Sequence, residues 1–313
     1  KTIKSFGIIV MKDNITVSVI MITYAHEKYI QQAINGVLMQ NVNFHVELII
    51  ADDCSKDDTE SIVSSYSNHP NFNWIKYTKH RINKGMMPNF IWSLKQAKGK
   101  YIALCEGDDY WIDQFKLQKQ VDFLENNSKY VCCITESIVG DNINQSLFTN
   151  ISTYSDISSE QILVESNFAT NTIVFINNII NSSLNLFIES PLGDTLALYL
   201  LSLHGRIKFI PVSTGFYRKH IGGVYTGSDS FVKTERQIFF LKLLLDNKFL
   251  KHEKLIQRLI SSMYLDLAYN YAYKGYKLKT FSIFRRISIL HYFYNLKKLS
   301  KIILHLIFRY NVK

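Results

Sequence analysis

The sequence predicts an α/β fold with a mixed, mostly parallel sheet flanked by helices, followed by a helical C-terminal extension. Three observations indicate this fold. Short apolar runs alternate with segments of helical periodicity, polar clusters follow the apolar runs, and the composition is globular, with 47% hydrophobic and 20% charged residues. Runs that are apolar at nearly every position are typical of strands buried on both faces of a parallel sheet.

The first strand is predicted over residues 17–22, which read Val-Ser-Val-Ile-Met-Ile. A helix follows, because apolar residues recur at the spacing of one helical face: Ile30, Ala33, Ile34, Val37 and Leu38. The alternation then predicts a strand over 46–51, a helix over 58–66, a strand over 74–77, a helix that ends with Gly99 as its C′ residue, and a strand over 100–105.

The second half of the chain has weaker patterns. Residues 127–172 are rich in Ser, Asn and Thr, and the predicted elements beyond residue 126 are strands over 131–135, 172–176 and 207–212, a helix over 194–204, and several helices over 230–313. We expect an N-terminal extension over 1–15, an α/β domain over 16–228 with halves 16–126 and 127–228, and a basic helical region over 229–313.

The net charge of +10 is divided unevenly along the chain. Residues 1–205 hold 15 Lys/Arg and 21 Asp/Glu, whereas residues 206–313 hold 21 Lys/Arg and 5 Asp/Glu. Ten basic residues and no acidic ones follow Asp266, interleaved with Tyr and Phe. This pattern suits an anionic membrane surface or a nucleic acid. It equally suits a helical tail that packs its aromatic side chains and exposes its cations.

Apolar runs and cysteines indicate the compartment. No apolar run approaches the roughly 18 residues that span a bilayer, and the run from Phe6 to Met11 is short for a secretory signal. Cys54 and Cys105 stand alone and Cys132 and Cys133 are adjacent, without metal-ligand spacing. We therefore expect a cytosolic protein with reduced thiols.

Polar pairs follow three of the predicted strands: Thr23-Tyr24, Asp52-Asp53 and Asp108-Asp109. Ligands of parallel sheets bind outside the carboxyl ends of the strands, so these pairs are expected to meet at one edge. Adjacent carboxylates repel, and hard oxygen ligands suit Mg²⁺ or Mn²⁺. Taken alone, each pair would also fit a solvated turn or a helix cap.

Four motifs in order make residues 16–225 resemble the family-2 glycosyltransferases of the GT-A fold, which are inverting enzymes that use nucleotide sugars. The motifs are Val17-Ser-Val-Ile-Met-Ile-Thr-Tyr24, Ile50-Ala-Asp-Asp-Cys-Ser55, Asn83-Lys-Gly85 and Gly99-Lys-Tyr-Ile-Ala-Leu-Cys-Glu-Gly-Asp-Asp-Tyr-Trp111. The resemblance implies a nucleotide-sugar-binding half over 16–126 and an acceptor-binding half over 127–228.

The resemblance implies a donor site made by Thr23, Tyr24, Glu27, Asp53, Arg81, Lys84, Gly85, Asp108 and Arg218. Asp53 matches the aspartate that bonds the base, and a carboxylate that accepts from an imide N–H favours a UDP-sugar. Asp109 and His220 are the implied ligands of Mn²⁺ or Mg²⁺. Glu106 stands where relatives often have aspartate, and its role stays open.

Asp194 resembles the catalytic base of these enzymes, although a helix N-cap would also explain an Asp there. The Gln-X-X-Arg-Trp motif of processive synthases is absent from the sequence. The resemblance thus implies transfer of a single sugar to a saccharide or lipid-linked acceptor, at an anionic membrane surface in one interpretation. The alternatives are a nucleotidylyltransferase, a non-catalytic nucleotide- or saccharide-binding protein, and a nucleic-acid-binding protein; we expect no nucleic-acid partner.

Overall fold

The computed structural model describes residues 15–141, 144–149, 153, 155–165, 168–220, 222–223, 229–286 and 302. The chain forms two compact units. The first comprises Lys1–Ser158, Asn167–Leu184 and Leu200–Lys219; the second comprises Ser159–Ser166, Asn185–Tyr199 and His220–Lys313. The expected N-terminal extension and the helices expected beyond residue 286 fall almost entirely outside the described residues. The domain boundary expected at residue 228 stays a prediction.

A ten-stranded sheet forms the first unit, in the order β3-β2-β1-β4-β9-β6-β10-β5, with β7 on β6 and β8 on β10. The strands are β1 Val17–Thr23, β2 Val46–Asp52, β3 Ile75–Lys79, β4 Tyr101–Leu104, β5 Tyr110–Trp111, β6 Tyr130–Gly140, β7 Gln145–Leu147, β8 Ser155–Ile157, β9 Val174–Ile176 and β10 Arg206–Arg218. Strands β1 to β4 pair in parallel, as do β6 and β10, while the short strands pair antiparallel. The predicted mixed, mostly parallel sheet is confirmed.

Ten α-helices are described: α1 Ile30–Leu38, α2 Thr59–Ser64, α3 Met86–Gln96, α4 Lys116–Asn126, α5 Ser159–Glu165, α6 Leu184–Glu189, α7 Gly193–His204, α8 Ser230–Asp246, α9 Glu253–Tyr273 and α10 Lys277–Phe284. Every residue of β1 and β2 is buried, as the apolar runs predict. The apolar face predicted for α1 lies in the same core. Helix α4 and strand β5 were not predicted from the sequence.

Gly99 has a different role from the one predicted. Helix α3 ends at Gln96, Ala97 is already extended, and Gly99 does not have the left-handed conformation of a C′ residue. A Cβ at Gly99 would lie 2.5 Å from the Ser18 backbone nitrogen. Glycine is therefore needed here because β1 passes too close for any side chain.

Candidate functional site

The three predicted polar pairs meet at the carboxyl edge of the parallel strands. Thr23, the last residue of β1, is in register with Asp52 of β2. The Asp53 N–H donates to the Thr23 carbonyl at 2.9 Å, and the Gly107 N–H donates to the Ile22 carbonyl at 3.0 Å. The loops after β2 and β4 are thus both hydrogen-bonded to the end of β1, which brings the two acidic pairs to one place.

Asp52 is fully buried and bonded by the protein through both carboxylate oxygens. Its Oδ1 accepts from the Ser55 N–H at 2.7 Å, and its Oδ2 accepts from the Tyr77 hydroxyl at 2.7 Å. Burial, as the main cause, and the hydrogen bond to Asp52, as the second, raise the pKa of Tyr77 far above its usual value. The hydroxyl therefore stays a donor. Asp52 therefore ties the loop after β2 to strand β3.

Asp53 is similarly engaged. Its Oδ1 accepts from the Lys84 N–H at 2.7 Å and its Oδ2 from the Gly85 N–H at 2.8 Å. Gly85 has a φ of 88° just before α3, a conformation that favours glycine. Asp53 thus holds the Asn83-Lys84-Gly85 loop, and each of its oxygens keeps a second lone pair for a ligand.

The side chains of four more predicted donor-site residues also belong to the first unit. Tyr24, Arg81 and Lys84 are exposed. Glu27 accepts through Oε2 from the Asp58 N–H at 3.1 Å, and so it binds the start of α2 to the loop after β1. Their predicted contacts with a nucleotide sugar stay predictions.

Asp109 differs from Asp52 and Asp53 because, within the described residues, only one of its carboxylate oxygens is hydrogen-bonded. Its side chain is 2% exposed, and Oδ1 accepts from the Arg218 N–H at 2.9 Å. Oδ2 is buried, with no hydrogen-bond partner in the described part of the chain. Burial and the nearby Asp108 and Glu106 carboxylates raise the pKa of Asp109 well above its usual range, against the opposing effect of Arg218.

A buried carboxylate oxygen without a donor is costly, and a bound cation removes that cost. No three His, Cys, Asp or Glu side chains cluster as a complete metal site among the described residues. Mg²⁺ and Mn²⁺ sites of phosphate-transferring enzymes often use one or two carboxylates and take their other ligands from substrate phosphates and water. Asp109 Oδ2 fits such a site.

Arg218 lies at the end of β10 and contacts this acidic turn twice. Besides its backbone N–H to Asp109, its Nε donates to the Asp108 carbonyl oxygen at 2.9 Å. The guanidinium lies over the rings of Tyr29 and Tyr110, and its Nη2 donates to Gln32 Oε1 at 2.6 Å. Tyr29, Gln32 and Tyr110 were not predicted as site residues, because no local signal connects positions so far apart in the chain.

Asp194 and His220 belong to the second unit. Asp194 lies inside the first turn of α7, where a negative charge is favourable, rather than at the N-cap that the alternative interpretation required. Its Oδ1 accepts from the Thr195 N–H at 2.6 Å. His220 is partly buried, and its carbonyl accepts from the Gly223 N–H at 3.1 Å. Their predicted roles as base and metal ligand stay predictions.

The fold is that of GT-A-like glycosyltransferases. The crystal structure of S. aureus TarS in complex with UDP-GlcNAc matches with a TM-score of 0.62 at 19% identity, covering 93% of this chain and 82% of that chain. Residues 18–184 match the family model described as Glycosyl transferase family 2. The chain belongs to glycosyl transferase family 2.

Two curated proteins are similar to this chain over most of its length. An uncharacterized protein of Mycobacterium tuberculosis is 31% identical over 220 residues, which are 66% of this chain and 60% of that protein. The UDP-Glc:alpha-D-GlcNAc-diphosphoundecaprenol beta-1,3-glucosyltransferase WfaP of Escherichia coli is 28% identical over 72% of this chain and 85% of that protein. The chain thus spans about three fifths of the mycobacterial relative's length.

Among the described residues, no helix is both long enough and apolar enough to cross a bilayer.

Proposed function

We propose that the protein transfers a single sugar from a nucleotide-diphospho-sugar to a saccharide acceptor, with a divalent metal ion and inversion at the sugar carbon. The observation that carries this proposal is the buried Asp109 Oδ2, which has no donor within the described residues. It lies at the carboxyl edge of the parallel strands, where α/β proteins bind their ligands. Family membership supports the same activity.

The donor is proposed to be a UDP-sugar held along this edge. Asp53 is fixed by the Lys84 and Gly85 amides, so its remaining lone pairs have a defined direction for the N–H of a uracil base. Tyr24, Arg81 and Lys84 are exposed beside it and supply a ring and two cations to a nucleoside diphosphate. The UDP-GlcNAc bound by TarS and the UDP-Glc in the name of WfaP favour this donor class.

Asp109 is proposed to hold Mn²⁺ or Mg²⁺ through Oδ2, with Asp108 nearer the ribose and His220 as a further ligand. When bound, the ion neutralises charge on the departing nucleoside diphosphate. Asp194 is proposed to act as the general base, which accepts the proton of the acceptor hydroxyl as that oxygen attacks the sugar carbon. A single displacement by one oxygen inverts that carbon.

The test is a thermal-unfolding panel of UDP, GDP, dTDP and CMP, each with and without Mn²⁺. A ligand that binds only the folded state raises the melting temperature by mass action. We expect UDP with Mn²⁺ to give the largest rise, with a smaller one for UDP alone. The absence of a shift with every nucleotide would overturn the proposal in favour of a non-catalytic protein.

The base assignment has its own test. Asp194→Asn should keep the shift with UDP and Mn²⁺ while sugar transfer falls by about 10²- to 10⁴-fold, the range typical of a lost general base. A variant that transfers sugar normally, or one that no longer binds UDP, would show that Asp194 is not the base.

The acceptor is proposed to be a saccharide or lipid-linked saccharide at an anionic membrane surface. Residues 206–313 carry 21 Lys/Arg against 5 Asp/Glu, and α10 exposes Leu278 and Phe281 to 88% and 56% beside Lys277 and Lys279. Exposed apolar side chains among cations suit the interface of an anionic bilayer.

The double variant Leu278→Ser/Phe281→Ser should bind phosphatidylglycerol vesicles at least about tenfold more weakly in a sedimentation assay. Ile188→Ser is the matched control, because Ile188 is 61% exposed in α6, a helix with no basic residue. Equal vesicle binding by the double variant and the control would refute membrane association through α10.

A further inference from the structure

The buried Asp109 carboxylate depends on Arg218 for its orientation. The Arg218 N–H fixes Oδ1 at 2.9 Å, so the direction of Oδ2 follows from the position of that one backbone amide. A carboxylate held by one oxygen offers a single, directed oxygen to a cation. Any movement of the end of β10 would therefore move the oxygen proposed to hold the metal ion.

Arg218 also braces the turn through its side chain. Its Nε donates to the Asp108 carbonyl at 2.9 Å, while its backbone N–H donates to the Asp109 side chain. Arg218 thus bonds both the Asp108 carbonyl oxygen and the Asp109 carboxylate. Two hydrogen bonds from opposite ends of the same residue restrict the turn more than either would alone.

Three residues hold the guanidinium in this position: Tyr29 just before α1, Gln32 in α1 and Tyr110 in β5. Its central carbon lies 4.9 Å from the ring centre of Tyr29 and 5.1 Å from that of Tyr110, within cation–π range. Nη2 donates to Gln32 Oε1 at 2.6 Å. The Tyr110 ring is in turn stacked on Phe216 at 4.9 Å, which packs it against β10. We name Tyr29, Gln32 and Tyr110 the arginine cage.

We propose that the arginine cage consists of positioning residues for the metal site, which hold Arg218 so that Asp109 Oδ2 is presented to a divalent cation. This inference rests on the proposed metal-dependent function. The cage residues touch neither the cation nor the nucleotide; they act through Arg218. Outer residues that orient a ligand typically contribute 10- to 100-fold to metal affinity.

The cage is tested at Gln32 and Tyr29 rather than at Arg218, because Arg218 is also a candidate phosphate contact. Gln32→Ala removes the amide acceptor at an exposed helix position where alanine is well tolerated. Gln31→Ala is the matched control, since Gln31 is the exposed neighbour on α1. Tyr29→Leu removes one aromatic face, and Tyr29→Phe keeps it.

The measurement is the Mn²⁺ dissociation constant of the full chain in the presence of saturating UDP, from the electron paramagnetic resonance signal of free Mn²⁺. We expect Gln32→Ala and Tyr29→Leu to weaken Mn²⁺ binding by about tenfold. Gln31→Ala and Tyr29→Phe should remain within about twofold of the wild type. Binding of UDP without metal and the metal-free melting temperature should not change, which separates positioning from a general loss of structure.

The outcomes distinguish the two proposals. If the wild type binds no Mn²⁺ with UDP, the proposed function fails and the cage inference fails with it. If the wild type binds Mn²⁺ and Asp109→Ala does not, but Gln32→Ala and Tyr29→Leu bind as the wild type does, only the cage inference is overturned.

Discussion

Two pairs of adjacent aspartates lie at or just after the ends of buried strands in this protein, and their carboxylate oxygens differ in hydrogen bonding. The oxygens of Asp52 and Asp53 all accept from protein donors: the Ser55, Lys84 and Gly85 amides and the Tyr77 hydroxyl. Asp109 has one oxygen bonded to a protein amide and the other buried without a donor in the described part of the chain.

An Asp-Asp pair at a strand end therefore does not reveal from sequence whether its carboxylates bind protein donors or a ligand. At the first pair, each of the four carboxylate oxygens accepts a hydrogen bond from the protein, so the pair has a structural role whether or not a ligand is bound. At the second pair, the Asp108 and Glu106 carboxylates repel the charge of the buried Asp109 carboxylate. Asp109 has one protein donor among the described residues. The proposed divalent cation would neutralise these charges there.

The sharpest test of this difference is Asp109→Asn. We expect Mn²⁺ affinity in the presence of UDP to fall at least about 100-fold, because an amide is a far weaker ligand than a carboxylate. The Arg218 amide keeps an acceptor in this variant, so the metal-free melting temperature should stay close to that of the wild type. Isothermal titration with Mn²⁺ measures the effect, and unchanged affinity would remove the contrast between the two pairs.

Lys116 provides a second test, because this fully buried lysine contacts Trp111, which follows the second pair closely in the chain. Its ammonium group contacts Gln120 and the Trp111 ring, and it donates to the Thr172 carbonyl at 3.3 Å. Burial lowers the pKa of Lys116 from 10.5 to about 8. Between these pH values the unfolded chain binds more protons than the folded one, so the free energy of unfolding rises with pH.

We therefore expect the free energy of unfolding of the wild type, relative to Lys116→Met, to rise by roughly 3 kcal/mol between pH 7 and pH 11. Urea unfolding at a series of pH values measures this difference, and using the variant as reference cancels the other titrating groups. A difference that stays constant across this range would show that Lys116 keeps an ordinary pKa in the folded protein.

The first pair is tested by Asp53→Asn, with a smaller expected effect. The amide cannot accept on both sides, so either the Lys84 or the Gly85 N–H loses its partner, at a cost of about 2 kcal/mol in the free energy of unfolding. The control is Asp58→Asn, an exposed position where the change should stay within about 0.5 kcal/mol. Nucleotide-free urea unfolding that shows no loss for Asp53→Asn would mean that Asp53 serves the ligand alone.

Periodicity was enough to place most elements of the first unit. Helix α1 begins and ends at the first and last residues of its predicted apolar face, Ile30 and Leu38, and β1 and β2 extend one residue beyond their predicted bounds. Gly99 shows where local signals fail, because its small size is needed for contact with Ser18, a residue far away in the chain. The two-residue strand β5 has no recognisable pattern, although it joins the acidic turn to β10. Helix α4 has one, because Leu117, Val121 and Leu124 recur at helical spacing and are buried, but this helix was not predicted.

The sequence by itself determined the strand–helix alternation, the acidic ends of the strands and the family, because these depend on residue types at short spacing. Only the tertiary structure decided which carboxylate oxygens are satisfied. Apart from the local Ser55 amide, the donors come from Tyr77, Lys84, Gly85 and Arg218. Their approach depends on how β3, the loop before α3, and β10 pack at one edge. Hydrogen bonds between residues distant in the chain form only when the sheet brings them together, and no local pattern encodes that meeting.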